Sequence, residues 1–253
     1  MADLVHILVT VRKPELWPAA LLVFKTLRVG FPEARVQVWG NGLDAHGAAR
    51  LAHVAAARGA GMTNLPATVH DGWIEGLLQR ASQPFWILDT DVVFWGPMRA
   101  PAGAILSGRL EPAFDEEWTG TRHVERLHTC AMYIDPARVR AEIRARQCVI
   151  GAPWRGTAEW PMIRQTFVPV RGEPTRFYDT TAGLWQAGIG TPLELAVDQT
   201  FEHLHCGTYV DVIGKETPGL AGLAARHQEI YADPAAAMGL REQQEEYYRQ
   251  RAG

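Results

Sequence analysis

The chain has little cysteine, and none of it at metal-knuckle spacing. Cys130, Cys148 and Cys206 are odd in number and far apart, so neither a disulfide framework nor a CxxC zinc knuckle is indicated. No apolar run approaches the roughly twenty residues needed to span a bilayer. The opening Met-Ala-Asp-Leu-Val-His-Ile-Leu-Val-Thr has no basic segment ahead of a long apolar core and does not read as a signal peptide. A cytoplasmic protein with reduced thiols and no membrane span is the expectation. An excess of one charge is missing too: the net charge is −3, which gives no global field to draw nucleic acid or a membrane surface. Neither GxGxxG nor the P-loop pattern GxxxxGK followed by Ser or Thr occurs, which disfavours both of those nucleotide-binding modes. No repeat, low-complexity tract or linker divides the 253 residues, a length that suits one α/β domain with a substantial core.

What is present centres on residues 85–95, Phe-Trp-Ile-Leu-Asp-Thr-Asp-Val-Val-Phe-Trp. So short a run of β-branched and aromatic residues reads as a strand buried on both faces. Asp89 and Asp91 sit inside it. Burying one carboxylate costs several kcal/mol unless it is compensated, and two close together cost more. The natural place for the pair is the open carboxyl end of the strand, with a divalent cation between the charges. In extended backbone, residues i and i+2 point the same way, so both carboxylates can address one ligand. Mg²⁺ or Mn²⁺ suits such oxygen ligands and keeps phosphate oxygens and water in its remaining positions.

Upstream, Leu4–Val11 reads as a first buried strand. A helix then runs from Pro14 to about Arg28, where Gly30-Phe31-Pro32 stops it. Arg35–Trp39 is a second strand, ended by Gly40-Asn41-Gly42, and Asp44 can cap the next helix, to about Arg58. After Gly59-Ala60-Gly61 a loop leads to Val69, and a helix from Asp71 to about Ser82 precedes the central strand. This order argues for a Rossmann-like, mostly parallel sheet covered by helices. Ligands of such sheets bind beyond the carboxyl ends of the strands, where Thr10, Arg12, Asn41, Asp44, Asp89 and Asp91 would gather.

Downstream the periodicity weakens. Ala104–Ser107 reads as a short strand, 111–127 as a polar loop, His128–Asp135 as a strand and Pro136–Gln147 as an Arg-studded helix. Residues 121–180 hold ten Arg against six acids, a local basic excess that is either a solvated helix face or a surface for an anionic acceptor. The stretch 148–178, with Trp154 and Trp160, reads as irregular; those two are core anchors or sugar-stacking residues. A short helix follows Phe177-Tyr178-Asp179-Thr180 and runs to Gly188, and helices fill 218–231 and 234–251.

Leu88-Asp89-Thr90-Asp91-Val92, after an apolar strand and roughly ninety residues into the chain, resembles the DxD motif of GT-A glycosyltransferases. The resemblance implies a GT-A-like single domain, with a nucleotide-sugar-binding half over 1–98 and an acceptor half with C-terminal helices over 99–253. It implies a nucleoside-diphosphate sugar as donor, Mn²⁺ or Mg²⁺ as cofactor, and an acceptor it does not name. In that family the first Asp lies near the ribose and the last chelates the metal on the diphosphate. By position, Thr10 and Arg12 after the first strand, and Asn41 with Asp44 after the second, correspond to the residues that hold base and ribose. An acid just before an acceptor-side helix serves as base in inverting members, which makes Asp179 the counterpart. The family's usual paired acids and Arg-bearing helix are absent there, and an Asp at that place is also an ordinary helix cap. A C-terminal His followed closely by Gly completes the metal site in many members. His205-Cys206-Gly207 resembles it, with His203 as second choice. A haloacid-dehalogenase-type phosphatase also opens its motif on an apolar strand and DxDxV, but near its N-terminus and with a later Asp-Asp pair that this chain lacks. A non-catalytic nucleotide-sugar binder is the remaining alternative.

Overall fold

The computed structural model describes residues 3–11, 13–116, 120–151, 166–204 and 221–244. These residues form a mixed α/β fold in two compact units, both built from separated stretches of chain. The first comprises Met1–Ala67, Leu88–Arg99 and Leu195–Gly253; the second, Thr68–Ile87 and Ala100–Glu194.

In the first unit, β1 (Leu4–Val9), β2 (Arg35–Asn41) and β3 (Gly61–Leu65) run parallel, with Ile7 opposite Val38 and Trp39 opposite Thr63. Val5, Ile7, Val9 and Val38 are buried, as strands covered on both faces require. The region after Gly59, expected as a loop, supplies β3 instead. Its residues are exposed or half-buried and join β2 through backbone pairing and a Gln37 Nε2 to Thr63 Oγ1 hydrogen bond at 3.3 Å, so the apolar pattern does not announce it. Asp44 caps the helix Ala45–Ala56 as expected: its Oδ1 accepts the Gly47 N–H at 2.7 Å.

The single helix expected from Pro14 to Arg28 is broken. A 3₁₀ turn (Pro14–Leu16) and α1 (Trp17–Ala20) end before α2 (Val23–Gly30) begins. At the break the Val23 N–H turns away from its own helix and donates to the Thr90 carbonyl at 2.8 Å. The central strand divides as well, into β4 (Phe85–Leu88) and β5 (Val92–Phe94), with the two aspartates in the bend between them. β5 packs on α2 where Gly30 leaves room for the Phe94 ring; a Cβ at Gly30 would stand 2.7 Å from Phe94 Cγ.

His6, on β1, is buried and accepts the Trp39 indole N–H at Nδ1, 3.1 Å away. Burial lowers its pKa from 6.5 to about 4. Between those values the unfolded chain takes up a proton that the fold refuses. The stability from neutral His6 is therefore complete above pH 6.5 and is lost as pH falls towards 4, by up to about 3 kcal/mol. Urea unfolding at pH 7 and pH 4.5 should show this loss in the wild type and a smaller one in His6→Gln. Equal pH dependence in the two proteins would contradict it.

The second unit orders its strands β12 (Thr191–Pro192), β6 (Leu106–Glu111), β9 (Arg126–Ile134) and β4, with β6 and β9 antiparallel. Two stretches expected as loops are extended. β7 (Phe114–Glu116), β8 (Thr121–His123), β10 (Thr166–Val168) and β11 (Thr175–Tyr178) join in a four-stranded sheet. Trp118, Trp154 and Trp160 lie outside the described residues. The Arg-studded helix, Pro136–Arg146, turns its cations onto backbone carbonyls: Arg138 onto Gly103 O at 2.8 Å, Arg140 onto Ala81 O at 3.1 Å, and Arg146 onto Ala187 O at 2.8 Å. Arg140 and Arg146 thereby cap the ends of the helices His70–Arg80 and Ala182–Gln186, and Arg138 binds the turn ahead of β6. Among the described residues no helix is long and apolar enough to cross a membrane.

Candidate metal centre

The bend at Asp89–Asp91 is held by its backbone, which leaves the carboxylates to be placed by the turn. Thr90 O accepts from Val23 N, and Asp91 O accepts from Leu204 N at 2.9 Å. The second bond belongs to a two-stranded antiparallel ribbon between β5 and β13 (Phe201–His203), whose register puts His203 opposite Val92. That register brings a residue from late in the chain beside the aspartates. His203 Nε2 lies 3.2 Å from Asp91 Oδ1 and 3.9 Å from Asp89 Oδ2.

One ligand atom from each of Asp89, Asp91 and His203 lies within 4.8 Å of the others. Three atoms that share one ion at about 2.1 Å can stand no more than about 4.2 Å apart. Both separations from His203 satisfy that bound. The His203 side chain is only 7% exposed, against 22% for Asp89 and 16% for Asp91, so the imidazole closes the inner side and the carboxylates face outward. Two carboxylate oxygens and one imidazole nitrogen form a donor set that Mn²⁺ accepts readily and Mg²⁺ less so.

Alternation along the chain puts His203 and His205 on one face, and the ribbon register brings His203, the second choice, beside the aspartates. His205 lies outside the described residues. No signal in a single sequence fixes an antiparallel register between segments about 110 residues apart.

At the carboxyl ends of β1 and β2, Asn41 Nδ2 donates to Thr10 Oγ1 at 3.0 Å, so two of the residues expected to meet a nucleotide are joined. Asp44 is an exposed helix cap on the same unit. Arg12 lies outside the described residues.

Asp179 belongs to the second unit and is not an open carboxylate. One oxygen accepts the Thr180 N–H at 2.7 Å, and the other pairs with Arg126 Nη1. Arg126 also binds Glu111 Oε2 at 2.6 Å. Burial opposes the charge on Arg126, but Asp179 and then Glu111 outweigh it and raise its pKa above the ordinary value. The cap of the following helix, α6 (Ala182–Gln186), is Thr181 rather than Asp179. Thr181 has φ +70°, a conformation costly for a β-branched residue, and its hydroxyl donates to Leu127 O, which holds the turn. Arg126 is the partner that sequence reasoning missed. It lies fifty-odd residues from Asp179, and nothing local links them.

No protein-family model and no curated protein matches the chain. Solved structures similar to parts of the chain include three glycosyltransferases. The glycosyltransferase GlyE of Streptococcus pneumoniae TIGR4 shares 8% identity over 56% of this chain and 36% of its own, at TM-score 0.39. The bifunctional glycosyltransferase WbbM shares 11% over 56% and 32%, at 0.38. The mannosyltransferase PcManGT of Pyrobaculum calidifontis, solved with GDP-Man and Mn²⁺, shares 10% over 57% and 47%, at 0.35. The chain thus matches about a third to a half of the length of each. All three TM-scores lie below 0.5, and the functional reading rests on the chain's own residues.

Proposed function

We propose that the chain is a metal-dependent glycosyltransferase of GT-A type that uses a nucleoside-diphosphate sugar. One observation carries this reading: Asp89, Asp91 and His203 converge from two distant segments on a volume that a single divalent cation can fill. A diphosphate would be repelled by the aspartate pair alone. A bound Mn²⁺ or Mg²⁺ would supply positive charge to a departing diphosphate. Asp89 and Asp91 would anchor the donor through that charge, and His203 would fix the inner side of the site. Thr10 and Asn41, with Asp44 and Arg12 near them in sequence, would receive the nucleoside at the carboxyl edge of β1 and β2. Asp179 would take the proton of the acceptor hydroxyl, with Arg126 fixing the carboxylate's orientation.

The test is a thermal-shift panel of nucleoside diphosphates, each with Mn²⁺ and with EDTA. A ligand that binds only the folded state raises its melting temperature, so one base should stabilise the protein when Mn²⁺ is present and lose that effect with EDTA. Stabilisation independent of EDTA, or by no diphosphate at all, would end the reading. His203→Ala should also weaken Mn²⁺ binding by about tenfold or more, measured by titration well below the variant's melting temperature. An unchanged titration would make His203 a buried core histidine and nothing further.

A further inference from the structure

The strand that carries His203 is gripped from one side by a single arginine near the end of the described chain. Arg241, in the helical stretch 240–244, donates from Nε to Glu202 Oε1 at 2.7 Å and from Nη1 to Asp198 Oδ2 at 2.9 Å. Its Nη2 reaches the carbonyls of Asp198 at 3.0 Å and Phe201 at 3.4 Å. One guanidinium therefore binds the last residue of α7 (Leu195–Asp198) and two of the three residues of β13. Glu202, the residue before His203, is 4% exposed. Its buried charge makes the contact costly to break.

Packing around this contact leads to the same place. Leu240 shares a core cluster with Leu22, Val93 and Leu204. Leu22 precedes Val23, whose N–H holds Thr90. Val93 is the middle of β5, and Leu204 donates to Asp91 O. Leu240 thus belongs to one core cluster with residues of all three backbone segments that fix the Asp89–Asp91 bend, while Arg241 binds the strand that carries the histidine.

We infer that Arg241 is a positioning residue of the metal centre, acting through β13 to hold His203 at ligand distance from the aspartates. The inference rests on the metal-site reading above. A planar guanidinium can satisfy Glu202, Asp198 and two carbonyls at once, whereas an ammonium offers a compact point charge and cannot span that set.

The sign of the effect separates positioning from plain electrostatics. Removing the cation leaves Glu202 uncompensated next to His203, and charge alone would then tighten a divalent cation's binding. Loss of positioning weakens it instead. The experiment titrates Mn²⁺ into the full-length protein, followed by electron paramagnetic resonance, for wild type, Arg241→Met and Arg241→Lys, each below its own melting temperature. Arg241→Met is expected to bind Mn²⁺ about tenfold more weakly, and Arg241→Lys to fall between it and wild type. Affinity in Arg241→Met that equals or exceeds wild type overturns the inference, even with a lowered melting temperature, because a purely structural arginine would behave in that way. If Arg241→Met does not fold, Arg241→Lys decides: wild-type affinity there overturns the inference. A wild-type protein that binds no Mn²⁺ overturns the metal-site reading itself, and this inference with it.

Discussion

Replacing Asp91 with Asn is expected to remove most of the metal-assisted affinity for a nucleoside diphosphate while leaving the fold intact. The group that ties residue 91 into the ribbon is its backbone carbonyl, which accepts from Leu204 N, and the substitution does not touch it. Asn keeps the side-chain shape and removes the charge, and a neutral amide is a poor ligand for a hard divalent ion beside an imidazole. Changes to groups that merely support a metal ligand cost about 10- to 100-fold in affinity, so loss of a direct ligand should reach on the order of 100-fold. Asp89 and His203 keep their neighbours, and the melting temperature without metal should change little. Isothermal titration of donor in Mn²⁺ and in EDTA decides the matter. Wild-type affinity in the Asn variant would remove Asp91 from the site.

The second large effect is on rate. As the acceptor-side base, Asp179 replaced by Asn should lower turnover by about 10²–10⁴, with donor affinity nearly unchanged, because the donor's proposed contacts belong to the other unit. The ion pair adds a competing expectation. Arg126 is held between Asp179 and Glu111, and losing one carboxylate beside a buried guanidinium destabilises the fold whatever the chemistry. Asn still accepts the Thr180 N–H, so the turn before α6 keeps that bond. Measuring turnover, donor affinity and melting temperature together separates the two roles. A lower melting temperature with wild-type turnover would assign Asp179 to the ion pair alone; a large fall in turnover at temperatures where the variant is fully folded would assign it the proton.

Part of the local structure and the chemistry of the aspartate pair are legible in the chain alone. β1 and β2 follow from their apolar patterning, the helix at Ala45 from its Asp44 cap, and the aspartate pair from two carboxylates set among apolar residues that cannot solvate them. These are short-range signals, carried by propensity, periodicity and burial within a few residues. The tertiary structure decided whatever depended on pairing between distant segments. It broke the expected N-terminal helix at Leu22, where the Val23 N–H finds a better-placed acceptor in Thr90. It made strands of 114–116, 121–123, 166–168 and 175–178, whose partners supply the hydrogen bonds their own patterning does not foretell. It set Arg126 against Asp179 and aligned His203 with the aspartates through the register of β5 on β13. An antiparallel register is fixed by backbone hydrogen bonds and by which face is buried, and neither exists until the two strands meet.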